Sequence, residues 1–128
     1  MSIKFNHAIV AARDRRESAL FFSNLFGLPE PTFWGPFASV TLEEGVHLQF
    51  AEPRIDDIQM QHYAFLVDEE RFNEIYGRIL GSSIDHWADP QLTLPNRFNT
   101  NHGGRGVYFK DPAGHGLEII TRPYVLAE

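Results

Sequence analysis

Gly106–Pro123 reads GVYFKDPAGHGLEIITRP, and this stretch decides the fold. An apolar run, Gly106–Lys110, meets the turn Lys110-Asp111-Pro112-Ala113-Gly114. A second apolar run, Leu117–Thr121, follows. Proline and glycine in a polar break between two β-prone runs specify a hairpin. Glu118 stands inside the second run, flanked by Leu117, Ile119 and Ile120. An unpaired buried charge is costly, so this carboxylate requires a cation, a metal or a hydrogen-bond donor beside it.

Alternation along a strand sends Leu117 and Ile119 to one face and Glu118 to the other. The pattern has a precedent upstream. In Val46–Phe50 the residues Val46, Leu48 and Phe50 share one face, and His47 and Gln49 the other. Leu48-Gln49-Phe50 therefore aligns with Leu117-Glu118-Ile119. The correspondence extends backwards. Ile3–Ala11 is strand-like and carries His7. Asp14 opens a helix, with Glu17 in the capping-box position. Leu20, Phe21, Phe22, Leu25, Phe26 and Leu28 follow at helical spacing, and Gly27 and Pro29 stop the helix. Short extended pieces around Trp34-Gly35-Pro36 and Phe37–Leu42 lead to the strand Val46–Phe50. In the second half His62–Val67 is strand-like and Asp68 caps a helix with Phe72, Ile75, Tyr76, Ile79 and Leu80 on its apolar side. Gly81 is its stop. The spacings agree: 62 − 7 = 55, 68 − 14 = 54 and 81 − 27 = 54. From helix stop to the outward-facing residue is 49 − 27 = 22 in one half and 118 − 81 = 37 in the other. The extra residues fall mostly in the polar stretch Ala88–Arg105, and a long loop on one copy of a repeat is more often functional than decorative.

The expected fold is therefore α+β: one domain over residues 1–128, built of two tandem βαβββ modules at 1–53 and 60–124. Each helix covers one sheet face, so the other face lines a cavity or meets a partner. Composition narrows the function. Hydrophobic residues make up 43% of the chain, enough for a core without staples. There is no cysteine, which excludes disulfides, thiolate ligands and a cysteine nucleophile. Net charge is −6 with no basic stripe, so nucleic acid is not an expected partner. No apolar run has membrane-spanning length and no secretory signal opens the chain, so the expected location is cytoplasmic.

The matched modules bring His7, Gln49, His62 and Glu118 towards one centre. Two imidazoles and a carboxylate suit a divalent ion such as Fe, Mn, Zn, Ni or Co. Gln49 is a fourth ligand or a hydrogen-bonding neighbour. His47 shares its face one pleat away and is expected in the cavity wall. His102 and Arg105, beside Gly103 and Gly104, stand on a glycine-hinged loop able to close over a substrate. His86 reads as an exposed strand end, and His115 as an ordinary polar turn residue. Phe33, Trp34, Phe37 and Trp87 are available to line an apolar cleft.

These stretches resemble the vicinal oxygen chelate superfamily, which includes glyoxalase I, bleomycin-resistance proteins, fosfomycin-resistance enzymes, methylmalonyl-CoA epimerase and extradiol dioxygenases. The residues that carry the resemblance are Asn6-His7-Ala8-Ile9-Val10, His62-Tyr63-Ala64-Phe65 and the run from Val107 to Glu118. It implies a cup-shaped mixed sheet with the helices outside and a divalent metal held by His7, His62 and Glu118. Gln49 falls where glyoxalase I and the epimerase carry a fourth ligand. Tyr108, four residues before the turn proline, falls where extradiol dioxygenases place a catalytic tyrosine, and His102 is near their loop histidine. The run after Glu118 lacks the His-x-Gly of the fosfomycin enzymes. The implied function is metal-dependent chemistry on a small oxygenated substrate, either lyase/isomerase or ring-cleaving dioxygenase, in a homodimer. The alternative is a non-catalytic protein that binds a small molecule or antibiotic.

Overall fold

The computed structural model describes residues 2–125; residue 1 and residues 126–128, included in the expected 1–128 span, lie outside the described residues. The chain divides into two compact units. One runs up to Gln59 and takes in Asp111–Ala113; the other starts at Met60 and takes in Gly114 onwards.

The first unit runs β1 (His7–Ala11), α1 (Arg15–Phe26), β2 (Thr32–Trp34), β3 (Phe37–Thr41) and β4 (His47–Ala51). Its sheet order is β1-β4-β3-β2, with β1 and β4 parallel and the remaining pairs antiparallel. A parallel pair needs a crossover, which α1 begins and β2 and β3 complete. The first strand starts at His7 rather than Ile3. Its pairing with β4 starts at His47, and Ile3 and Phe5 remain exposed. Asp14 caps α1 by accepting from the Arg16 and Glu17 amides at 3.0 and 3.1 Å. Glu52, beyond β4, accepts from the Arg15 amide at 3.0 Å, so two acids satisfy first-turn donors. The core comprises Ala19, Phe22, Leu25 and Phe26 of the helix with Val10, Ala38, Val40, Leu48 and Phe50 of the sheet. The Phe22 and Phe50 rings lie 5.2 Å apart.

The second unit runs β5 (His62–Leu66), α2 (Glu69–Gly81), β6 (His86–Trp87), β7 (Gly106–Lys110) and β8 (Gly116–Ile120), in the sheet order β5-β8-β7-β6. Phe72, Ile75 and Ile79 of α2 are fully buried, as are Val107, Leu117 and Ile119 of the sheet. Leu80, expected among the buried positions, is exposed because it falls off the stripe that Phe72, Ile75 and Ile79 define. The long connection from Trp87 to Gly106 is ordered from within. Asp89 accepts from the Thr93 and Leu94 amides, and the Asn99 side chain donates to the Ala88 carbonyl at 2.8 Å. Gly104 is a close-packing position there, not a hinge. A Cβ on it would meet Thr121 Oγ1 and Arg122 Cγ at 2.5 Å.

The two registers correspond residue by residue. In the first unit His7 pairs with His47 and Ile9 with Gln49; in the second His62 pairs with Gly116 and Ala64 with Glu118. Each histidine thus sits two residues before the partner of Gln49 or Glu118, on the same sheet face. The helix ends do not correspond as the glycines suggested. Gly27 ends α1 at φ 66°, with the Leu28 amide donating to the Ser23 carbonyl at 2.9 Å. In α2 the same job falls to Ser83, at φ 53°, with the Ile84 amide donating to the Ile79 carbonyl at 3.0 Å. Gly81 is simply the last helical residue. Left-handed backbone is strained for any residue with a Cβ. Ser83→Gly should therefore raise stability by about 0.5 kcal/mol, and Gly27→Ala should lower it by about 1 kcal/mol. Urea unfolding midpoints check both signs.

Candidate functional site

Each sheet has one face covered by its helix and one that is not. On the first unit the uncovered face carries two cross-strand rows set by the register, His7–His47–Thr41 and Ile9–Gln49–Ser39–Thr32, and beyond them the pairs Ala11–Ala51 and Phe37–Trp34. One end is polar and the other aromatic, with the Trp34 and Phe37 rings 5.4 Å apart. Phe33 points to the opposite, helix side, where the Arg16 guanidinium lies 4.5 Å from its ring centroid. His7 Nδ1 lies 2.7 Å from Asn6 Oδ1, an acceptor, so its hydrogen sits on Nδ1 and its lone pair on Nε2. His47 Nδ1 lies 3.0 Å from the Thr41 hydroxyl. Gln49 is half-buried opposite Ser39, whose buried hydroxyl has no hydrogen-bond partner among the described residues.

On the second unit the corresponding rows are His62–Gly116–Lys110 and Ala64–Glu118–Tyr108–Trp87. Glu118 is 2% exposed. His62 Nδ1 lies 3.1 Å from the Gly116 carbonyl, and Nε2 lies 3.1 Å from Glu118 Oε1. Both ring nitrogens therefore face acceptors, and a neutral imidazole carries only one N–H. That hydrogen goes either to the Gly116 carbonyl from Nδ1 or to Glu118 from Nε2. With the hydrogen on Nδ1, the Nε2 lone pair and the carboxylate would both be open to a metal ion. An imidazole nitrogen beside a buried carboxylate is a donor pair of the kind divalent ions take.

The other Glu118 oxygen, Oε2, accepts a short hydrogen bond from the Tyr124 hydroxyl. Tyr108 lies 3.3 Å from the same hydroxyl, and its ring stacks on His62 with centroids 6.1 Å apart. Burial, the Tyr124 hydroxyl and the Glu118 charge together push the Tyr108 phenol well above its ordinary value. Burial and the bond to Glu118 likewise push Tyr124 up, against an opposing effect of Tyr108. His102 meets this group from the long connection, its ring tilted against that of Tyr124 with centroids 4.5 Å apart. Tyr124 was invisible in the sequence because it follows the last strand, where no periodicity assigns a face.

The remaining candidates are placed differently. The Arg105 guanidinium donates to the Glu69 side chain and carbonyl and to Asn73 Oδ1, and stacks on Phe72 at 4.3 Å. It joins the long connection to the start of α2. His86 is buried, not exposed: Nδ1 donates to the Ile84 carbonyl at 2.9 Å and Nε2 accepts from Tyr76 at 3.0 Å. His115 is fully buried, with Nδ1 accepting from the Gln61 amide at 3.0 Å. Among the described residues, no group of three or more His, Cys, Asp or Glu side chains is gathered as a metal cage. No helix among them is long and apolar enough to cross a membrane.

No family model matches the chain. The solved structure of Oxidase ChaP-H1 is similar at 49% identity, covering 96% of this chain and 98% of that one, with a TM-score of 0.92. Glutathione transferase FosA of Serratia marcescens is 29% identical over 121 residues, 89% of this chain and 77% of that protein. Metallothiol transferase FosB of Shouchella clausii is 26% identical over 122 residues, 91% and 78% of the two chains. Lactoylglutathione lyase from Agrobacterium tumefaciens shares the fold at 18% identity, with a TM-score of 0.68 over 92% of each chain. The chain belongs to the vicinal oxygen chelate superfamily. The α+β arrangement of two βαβββ units is the glyoxalase/bleomycin-resistance/dioxygenase fold.

For a vicinal oxygen chelate protein the protonation of Tyr108 matters, because a phenol donates a hydrogen bond and a phenolate does not. Tyr108 stays a phenol past the ordinary titration of tyrosine near pH 10. In chelator-treated protein, absorbance at 295 nm should show its last tyrosinate appearing well above that pH. Tyr108→Phe should remove that late fraction; loss of an ordinary fraction instead would contradict the assignment.

Proposed function

We propose that the chain is a divalent-metal enzyme acting on a small substrate with two adjacent oxygens, in the oxidative, dioxygenase-like branch of the superfamily. His7, His62 and Glu118 are the ligands. The observation that carries this is the His62–Glu118 pair, an imidazole nitrogen 3.1 Å from the oxygen of a buried carboxylate. The tautomer of His7 supports it independently, since Asn6 leaves Nε2 as the donor atom there too. Two histidines and one carboxylate form the three-ligand set of non-haem iron(II) oxygenases, with positions left for substrate. Gln49, a neutral amide, is a hydrogen-bonding neighbour rather than an anionic fourth ligand. Similarity to an oxidase over nearly the whole chain favours this branch.

The metal supplies Lewis acidity to the substrate oxygens. The protein supplies the rest. Tyr108 is the catalytic phenol, holding its proton at the edge of the site. His102, braced on Tyr124, stands where it can meet a substrate group, with His47 on the wall. Trp34 and Phe37 receive the apolar body of the substrate. Along β1 and β4 the aromatic row is four residues from the histidine row, roughly 13 Å. That span suits a ring-bearing molecule better than a two- or three-carbon one. Arg105 acts through the scaffold.

Ile9 and Leu66, beside the ligand positions, are both more than half exposed in the single chain. Apolar residues on a ligand-bearing face call for cover, so a homodimer that pairs these faces is part of the reading. A second reading, thiol transfer, has the similarity to glutathione transferase FosA in its favour.

Protein purified without chelator should contain iron, and His62→Ala and Glu118→Gln should each weaken iron(II) or manganese(II) binding by more than about 100-fold. Oxygen uptake with catechol-type substrates supports the oxidative branch; glutathione consumption without oxygen uptake replaces it with the second reading. Ligand binding that survives chelation, without turnover of either kind, means a binding protein. Mixing unfolded His7→Ala and His62→Ala chains and refolding them tests the pairing. Sites shared across a dimer restore about a quarter of wild-type metal binding, the binomial share, and sites within one chain restore none.

A further inference from the structure

The tail residue Tyr124 does more than fill space. Its hydroxyl donates to Glu118 Oε2, while Glu118 Oε1 faces His62 Nε2 at 3.1 Å. The two carboxylate oxygens are therefore assigned to different partners. Because the Tyr124 hydrogen is committed to Glu118, the 3.3 Å contact with Tyr108 runs the other way, with Tyr108 donating to Tyr124. The result is a directed chain, Tyr108 to Tyr124 to Glu118, with the His102 ring against Tyr124. A carboxylate free to rotate offers a metal one oxygen or two. One whose second oxygen is held by a hydrogen bond offers one.

We propose that Tyr124 is a positioning residue that holds Glu118 to one-oxygen coordination. This rests on the metal site proposed above. One-oxygen binding leaves one more coordination position open than two-oxygen binding would, so a chelating substrate does not use up the last of them. Tyr108 supports the arrangement by donating to Tyr124, and His102 packs against the ring that carries the hydroxyl. The long connection and the tail thus act on the metal through a carboxylate neither of them contains.

Cobalt(II) binding tests this, because its visible d–d absorption reports coordination number and symmetry independently of turnover. Tyr124→Phe removes only a hydroxyl from a side chain that is 44% exposed, so the fold should persist. The expected result is about 10-fold weaker cobalt(II) binding, a changed d–d spectrum as Glu118 turns its second oxygen to the metal, and unchanged melting of the metal-free protein. Tyr108→Phe, which leaves the Tyr124–Glu118 bond in place, should keep the wild-type spectrum. A Tyr124→Phe protein with the wild-type spectrum, whatever its affinity, overturns the proposal. The metal reading fails separately: wild-type protein that takes up no cobalt(II), or His62→Ala protein that binds it as well as wild type, refutes the site itself.

Discussion

The second unit depends on one constraint: Glu118 is a buried carboxylate on a core strand. Burial of an unpaired charge is unfavourable enough that the surroundings must answer it. They answer from three sides. Leu117 and Ile119 fix the strand by filling the core on the helix side. His62 approaches from the parallel neighbour, with Nδ1 at the Gly116 carbonyl and Nε2 at the carboxylate. Tyr124 closes the remaining oxygen. The parallel pairing of β5 with β8 is what brings His62 within reach, because the register sets it two residues before the partner of Glu118.

The first unit repeats that geometry with the charge removed. Gln49 takes the place of Glu118 opposite Ile9, and His7 keeps the orientation of His62 with Asn6 in place of a backbone carbonyl. An amide needs hydrogen-bond partners but no counter-charge, so this half tolerates an exposed, loosely held arrangement. Its remaining rows grade from polar to aromatic.

Much of this was legible in the sequence because strand alternation is a local rule. Knowing that Leu117 and Ile119 face the core is enough to turn Glu118 the other way, and the repeat identifies Gln49 as its counterpart. The helix caps at Asp14 and Asp68 are equally local. What escaped depends on partners distant in sequence. His86 is buried because Tyr76, one helix earlier, meets its Nε2. Arg105 is held by Glu69 and Asn73 on α2, a contact no loop composition announces. Tyr124 lies past the last strand. Ser83 assumed the left-handed cap that the pattern assigned to Gly81, because α2 continues one residue beyond the position where the first helix stops.

The central claim is that a divalent metal joins His62 Nε2 to Glu118. The most direct test is a crystal structure grown with iron(II) or manganese(II), read from the anomalous difference map. The account predicts one peak within about 2.2 Å of His62 Nε2 and of a single Glu118 oxygen, with Nε2 of a His7 as the second imidazole. A peak on His62 Nδ1, a peak away from Glu118, or no peak in metal-saturated crystals would contradict it.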